Sequence, residues 1–222
     1  MKPLHPWDVT VEEAIRIQED LKGSIVLENR FLKWKTIAGA DASYSRHHPL
    51  LWGTIAVLTY PELELLDQVT VEGEVNFPYI PGLFSFREGP VLLKAFQKLK
   101  IKPDLILFDG HGIAHPRGIG LASHLGLWLD LPSIGCARTS LIKESTAPEK
   151  EKGSVRWIYR EGEKVGAALR TREGVKPLFV SPGHRIDLMT SLRIVLSTCK
   201  AYRLPEPLRK AHQISRNRVP RP

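Results

Sequence analysis

Apolar positions in the first third of the chain change from helical to strand-like spacing. A capping-box pattern at residues 10–13 precedes apolar positions at helical spacing, which predicts a helix over 11–22. Residues 35–44, 52–59 and 63–72 are rich in apolar and β-branched side chains, which is typical of strands. Three consecutive strands with short connections predict an antiparallel meander.

The remaining two thirds of the chain mix both spacings. Gly89 and Pro90 open a segment of helical periodicity, and the apolar run Leu105–Phe108 stops at Asp109, as a buried strand that ends in a loop does. Further elements are predicted as a helix over 119–129, a strand over 131–137, a hairpin over 155–170, a short strand over 178–180, and helices ending near 199 and 216. This order predicts a single mixed α/β domain over residues 1–222, with helices flanking a mixed sheet.

Composition excludes several classes of protein. With 42% hydrophobic and 25% charged residues, the 222-residue chain is neither disordered nor a disulfide-built miniprotein. No apolar run approaches the roughly 20 residues of a membrane span, so no membrane partner is expected. Two distant cysteines indicate a reducing compartment, and we expect a cytoplasmic protein.

Positive charge is concentrated at the C-terminus. Residues 200–222 carry a net +6 of the total +8, and we expect a basic tail from about residue 213. Such a tail is compatible both with a solvated terminus and with a cationic surface for phosphate backbones. Charge alone does not choose between them.

Three acidic residues occupy positions suited to a metal site. Asp41 lies among small residues within the first strand, Asp109 ends the buried strand, and Glu88 sits at the start of the predicted helix. Each alone has an ordinary explanation, as a hydrogen-bond hub, a turn residue and a partner of the helix dipole. If the first and fourth strands are neighbours, the three carboxylates converge, and such hard oxygen ligands favour Mg²⁺ or Mn²⁺.

Two loops have unusual composition. Two prolines stiffen the segment around Tyr79, which predicts either an aromatic wedge for stacked bases or a stapled loop with Tyr79 packed down. After the buried strand, Gly110 and Gly112 would let the backbone press against a flat ligand. His115 follows, either as a phosphate contact or proton shuttle or as an ordinary loop histidine. Ser181–Asp187 stands at a predicted helix start, either as plain N-capping residues or as a further functional segment.

These segments together resemble the endonuclease V family of nucleic-acid repair enzymes, from about Trp7 to His212. The resemblance rests on five motifs, which are Phe77–Gly82, Phe86–Pro90, Phe108–Gly110, Ala114–Arg117 and Val180–His184. It implies a ribonuclease H-like fold and a Mg²⁺-dependent nuclease, with Mn²⁺ as a substitute. It further implies cleavage of DNA containing deoxyinosine at the second phosphodiester on the 3′ side of the lesion, which leaves a 3′-hydroxyl and a 5′-phosphate. A monomer is expected, and inosine-containing RNA stays open as a substrate.

The resemblance also assigns roles to residues of this chain. It implies that Asp41 and Asp109 are metal ligands, and that Glu88 holds the attacking water. Tyr79 matches a wedge that fills the gap behind a flipped nucleotide. The base pocket is implied at Gly82, Leu83, Gly110, Gly112 and Leu141.

The implied phosphate contacts include one departure from the family pattern. His115 and His212 match residues near the backbone phosphates. The family commonly has a lysine where this chain has Arg138, and arginine keeps the charge but does not readily donate a proton. A phosphate-clamping role survives this change better than a proton-transfer role. His111 stands where a glutamine is expected.

Two other functions are compatible with parts of the sequence. A non-catalytic nucleic-acid-binding module would use the basic tail and Tyr79, but three converging acids would repel phosphate unless a metal intervenes. A metal nuclease for branched DNA or inosine-containing RNA would use the same acids, because they specify the phosphodiester chemistry and not the lesion.

Overall fold

The computed structural model describes residues 3–29, 33–45, 48–142 and 147–218. The helices are α1 (Val11–Lys22), α2 (Phe84–Lys98), α3 (Leu121–Leu129), α4 (Leu188–Thr198) and α5 (Glu206–Arg216). The strands are β1 (Thr36–Tyr44), β2 (Leu50–Thr59), β3 (Leu65–Glu74), β4 (Leu105–Phe108), β5 (Ser133–Ala137), β6 (Val155–Arg160), β7 (Glu163–Leu169) and β8 (Leu178–His184). Within these ranges, no helix is both long and apolar enough to cross a bilayer.

All eight strands form one mixed sheet in the order β3-β2-β1-β4-β5-β8-β7-β6. Strands β1, β2 and β3 pair antiparallel, which confirms the predicted meander. Strand β4 pairs parallel to β1 on one side and to β5 on the other, so the first and fourth strands are neighbours. The centre of the sheet is therefore parallel, and both of its flanks are antiparallel.

Helices cover both faces of the sheet. Leu105 and Leu107 of β4 pack in the core cluster that contains residues of α4 and α5. Ile106 and Phe108 pack in the cluster that contains residues of α2 and α3. Because successive side chains of a strand point to opposite faces, burial on both sides explains why β4 is apolar without interruption.

A glycine in β1 brings α5 against the sheet. A Cβ on Gly39 would overlap the backbone carbonyl of Pro207, so only a residue without a side chain permits this approach. The small residues around Asp41 thus admit the protein's own α5. As a result, His212 of α5 reaches Asp41.

Helix α2 begins earlier than the sequence predicts. It starts at Phe84, and Pro90 lies inside it instead of opening it. The sequence offers no start signal, because Leu83 at the N-cap makes no capping side-chain hydrogen bond. Burial of Phe86, Val91 and their neighbours favours the longer helix despite the missing N–H of Pro90. Glu88 therefore lies in the second turn of α2, away from the positive end of the helix dipole.

The segment 181–187 is a strand followed by a cap. Strand β8 continues through Pro182 to His184, and α4 begins only at Leu188, with Asp187 as its N-cap. Pro182 is tolerated because β7 pairs with β8 only over Leu178–Val180. Residues 213–216 of the predicted basic tail belong to α5, which continues to Arg216, and residues 219–222 lie outside the described ranges.

Candidate active site

Sheet pairing brings two of the predicted acids side by side. Ala40 of β1 pairs with Phe108 of β4, and the acids Asp41 and Asp109 are the next residues along these parallel strands. The backbone N–H of Asp109 donates to the carbonyl of Ala40 across 3.2 Å. The pairing of β1 with β4 therefore places the two carboxylates next to each other, where β4 ends.

The third acid, Glu88, is partly buried beside them on α2. The hydroxyl of Tyr44 donates to Glu88 Oε1 across 2.8 Å. Burial raises the pKa of Glu88 to about 8, and the charges of Asp41 and Asp109 push the pKa in the same direction. The three acids are close enough to repel one another, and a bound cation or a proton would relieve that repulsion.

Each aspartate also faces a basic side chain. His212 Nδ1 lies 3.1 Å from Asp41 Oδ2. Arg138 donates to Asp109 Oδ2 from Nη2 at 2.8 Å and from Nε at 3.1 Å. Burial raises the pKa of Asp109, and the Arg138 guanidinium opposes that shift. A histidine and an arginine are thus gathered with the three acids.

The donor chemistry fits a hard divalent cation. Across the described ranges, no three His, Cys, Asp or Glu side chains are grouped tightly enough to hold a metal on their own. Among the described side chains, however, none donates to Oδ1 of Asp41 or Asp109, which leaves one oxygen of each for a metal. Mg²⁺ is usually bound by one or two carboxylates, with water and substrate oxygens completing its shell.

The proline-stiffened loop before α2 presents Tyr79 at its tip. The Tyr79 side chain is 69% exposed, and its ring lies 5.0 Å from that of Phe84 between centroids. The base of the loop is anchored, because Arg87 Nη1 donates to the carbonyl of Phe77 across 2.5 Å. An exposed ring on a fixed loop is the arrangement that a wedge requires, although the wedge itself stays a prediction.

A small pocket lies between this loop and the loop after β4. It is lined by Gly82, Phe84, His111, His115, Gly120, Leu121 and Leu141. Three residues of the predicted base pocket do not line it, namely Leu83, Gly110 and Gly112. Leu83 is buried in the cluster formed with α1, and Gly112 packs against the carbonyl of Pro182. Gly112 thus permits close backbone packing against β8.

His115 supports a wall of the pocket. It is only 1% exposed, and its Nε2 lies 3.0 Å from the carbonyl oxygen of Gly82. Its Nδ1 accepts from the N–H of Arg117, so the proton is on Nε2. Burial, with the charge of Arg117, lowers the pKa of His115 to about 3. A neutral, buried imidazole suits holding Gly82 better than the predicted phosphate contact, which stays untested.

Comparison with known proteins identifies the family. A family model described as Endonuclease V matches residues 19–213. The chain belongs to the endonuclease V family. The Endonuclease V of Dictyoglomus turgidum is 52% identical over 205 residues, which cover 92% of this chain and 89% of that protein. The chain is therefore an endonuclease that hydrolyses phosphodiester bonds, and a purely binding role is excluded.

Solved endonuclease V structures have the same fold. The Streptomyces avermitilis protein superposes with a TM-score of 0.89 at 39% identity, over 95% of this chain and 93% of that one. The Ciona intestinalis protein, solved with a DNA that contains an inosine followed by a ribo-adenosine, has a TM-score of 0.82 at 30% identity, over 93% of this chain and 96% of that one. These similarities confirm the expected ribonuclease H-like fold.

Sequence reasoning missed several residues of this endonuclease V site. Tyr44 holds Glu88, and Phe84, Gly120 and Leu121 line the pocket. Apolar residues and glycines at the starts of helices carry no chemical signal of their own. The role of these residues becomes visible only in the structure, where two loops that are remote in sequence lie side by side.

Proposed function

We propose that this endonuclease uses Mg²⁺, flips deoxyinosine out of DNA, and hydrolyses the second phosphodiester on its 3′ side. The products would be a 3′-hydroxyl and a 5′-phosphate. The observation that carries the proposal is the coupling of Asp41, Glu88 and Asp109 beside a narrow pocket and an exposed Tyr79. The inosine-containing DNA bound by the Ciona intestinalis relative supports the choice of lesion.

The acids divide the chemistry between them. Mg²⁺ held by Asp41 and Asp109 would polarise the phosphate and stabilise the leaving 3′-oxygen. Tyr44 occupies Oε1 of Glu88, so Oε2 is the oxygen that would orient the attacking water and take its proton. A general base is most effective with a pKa near the working pH; burial raises the pKa of Glu88, and a cation held by Asp41 and Asp109 would lower it again, towards that pH.

Arg138 would act through charge. Its guanidinium is partly exposed beside Asp109, where a phosphate oxygen of the substrate could replace one of its two contacts. Arginine keeps its proton at any ordinary pH, so it would clamp the phosphate without transferring a proton.

The pocket would identify the base by shape and by its edge. Hypoxanthine presents an N1–H donor and an O6 acceptor, and adenine presents the reverse. The pocket walls are apolar side chains, glycine backbone and two histidines whose pKa values burial lowers, so no charged group is needed. A narrow pocket would also exclude guanine through its 2-amino group. Because inosine pairs poorly with thymine, extrusion of this base costs less than that of a normal base.

A panel of labelled oligonucleotides tests the substrate. It would contain inosine, uracil, an abasic site or a mismatch, as DNA and as RNA, with Mg²⁺ or Mn²⁺ present. We expect cleavage of the inosine DNA one nucleotide beyond the lesion, mapped against a sequencing ladder. An uncut inosine strand, or a cut at another bond, would contradict the proposal. The RNA lanes decide whether inosine-containing RNA is also a substrate.

Substitution of the aspartates tests the metal site. Asp41→Asn and Asp109→Asn each keep the side-chain shape but remove a charged ligand, so cleavage in Mg²⁺ should be lost while binding in Ca²⁺ persists. Glu62→Gln, which removes one exposed charge elsewhere, is the matched control. If either aspartate variant cuts at a rate near that of the wild type, the metal-site assignment is wrong.

A monomer in the cytoplasm is also proposed, because one chain contains all of the site residues named here and both cysteines are free thiols, as in a reducing compartment. Sedimentation of the purified protein, with and without DNA, measures the oligomeric state.

A further inference from the structure

Helix α1 buries an amide side chain near the base pocket. Its two buried residues are Ala14 and Gln18, and Gln18 is 0% exposed. Burial of an amide is unfavourable unless its hydrogen bonds are satisfied. A buried glutamine at this position therefore destabilises the fold unless its amide group makes hydrogen bonds.

Gln18 makes three hydrogen bonds, to three different residues. Its Nε2 donates to the carbonyl of Gly82 at 3.0 Å and to the carbonyl of Ile119 at 3.1 Å. Its Oε1 accepts from Nε of Arg117 at 2.6 Å. Both amide hydrogens and the amide oxygen are thus used, all by groups of the two loops that form the pocket.

These contacts join two walls of the pocket through one atom. Gly82 lines the pocket from the loop before α2, and Gly120, the neighbour of Ile119, lines it from the loop after β4. Because one nitrogen binds both carbonyls, the position of Gln18 limits how far the two walls can separate. Gly82 has a φ of +86°, so its carbonyl orientation is one that other residues rarely adopt.

The Gly82 carbonyl receives two further donors. Arg117 Nη2 donates to it at 2.9 Å and His115 Nε2 at 3.0 Å. Both come from the loop after β4, and the Arg117 guanidinium is itself held by Gln18. Of the three donors to this carbonyl, Gln18 alone comes from outside the two loops, and its hydrogen bonds attach both loops to α1.

We propose that Gln18 is a positioning residue that sets the width of the base pocket and thereby the discrimination between hypoxanthine and other bases. This inference rests on the proposed function. Other side chains of similar size would not do the same. Glutamate would direct an oxygen at two carbonyl oxygens, and methionine would fill the space without donating.

The test compares Gln18→Glu, Gln18→Met and Val11→Ala. Glutamate keeps the acceptor for Arg117 and loses both donors, while methionine keeps only the volume. Val11→Ala loosens the packing of the same helix without removing a pocket hydrogen bond, so it controls for lost stability. Dissociation constants are measured in Ca²⁺ for two oligonucleotides that differ only in inosine or adenine, together with thermal melts.

We expect both Gln18 variants to reduce the preference for inosine over adenine by about tenfold, since two donors that fix the walls are lost. Single-turnover cleavage in Mg²⁺ adds a second measure, in which inosine substrates slow and abasic substrates, which place no base in the pocket, do not. Val11→Ala should keep the wild-type preference.

Each contrary result has a distinct meaning. If both Gln18 variants keep the wild-type preference for inosine, the inference is wrong while the proposed function stands. Equal losses on inosine and adenine, with a lowered melting temperature as in Val11→Ala, would reduce Gln18 to a structural role. If the wild type itself does not prefer inosine, the proposed function fails and the inference fails with it.

Discussion

Tyr79→Ala separates the proposed wedge from an ordinary loop residue. The side chain is 69% exposed, and its ring contacts are with Phe84 and, at 6.0 Å, with the guanidinium of Arg87. Truncation of so exposed a side chain should change the free energy of unfolding by only about 0.5 kcal/mol. Stacking of a base on an aromatic ring contributes roughly 1–3 kcal/mol, which corresponds to about fivefold to 150-fold in rate or affinity.

The assay measures that difference on two substrates. Single-turnover cleavage is followed with inosine in a duplex and with the same inosine strand alone, where little unstacking is required. Tyr79→Ala should lose about tenfold or more on the duplex and much less on the single strand. Tyr79→Phe should cut both at nearly the wild-type rate, because the ring does the stacking. Tyr159→Ala, which truncates another exposed tyrosine on β6, is the matched control.

Equal losses on duplex and single strand would refute the reasoning. If the melting temperature of Tyr79→Ala also fell by several degrees, the ring would be part of the loop's own packing. In that case Tyr79 would not be the wedge, and another group would have to fill the gap behind the displaced nucleotide.

Two further predictions follow from charge. Arg138→Lys should cleave within about tenfold of the wild-type single-turnover rate, and Arg138→Ala should be slower still, because the proposed clamp needs a positive charge next to Asp109. Equal rates for the two variants would contradict the clamp. Burial lowers the pKa values of His115 and His124, so the unfolded chain binds more protons than the folded chain at low pH. The contribution of these two histidines to stability should be full above pH 6.5 and fall below it by up to about 1.4 kcal/mol per pH unit for each. The raised pKa of Glu88, about 8, has the opposite effect, because it stabilises the folded chain as the pH falls from 8 to 4.5. Two histidines outweigh one glutamate, so the free energy of unfolding in urea should decline from pH 6.5 to 5. No decline would refute this reasoning.

Elements with strong local signals could be predicted from the sequence. The capping box marks the start of α1, and both bonds of the box are present. The apolar run of β4 correctly indicated a strand buried on both faces, ending at Asp109. From there, the adjacency of β1 and β4 was enough to bring Asp41 and Asp109 together, because neighbouring parallel strands carry their residues in register.

Elements whose boundaries depend on tertiary packing could not be predicted. Pro90 is a strong local signal for a helix start, yet α2 begins six residues before it. Pro182 indicates a break, yet β8 passes through it, since the neighbouring strand β7 does not extend that far. At Pro90 the burial of neighbouring apolar residues outweighs the local preference of proline, and at Pro182 the missing N–H has no strand partner to lose.

The proposed base pocket shows most clearly what a sequence leaves out. Gln18 shares the helix face of Ala14 and Leu21, so its spacing indicates burial but does not indicate which atoms it binds. Its importance arises only where α1, Gly82 and the Ile119 turn meet, at separations of 64 and 101 residues along the chain. Metal ligands are recognisable from the sequence because their chemistry limits the residue types that can serve. The shape of a pocket is set by backbone atoms, which every residue has, so the residues that position it become visible only through their contacts.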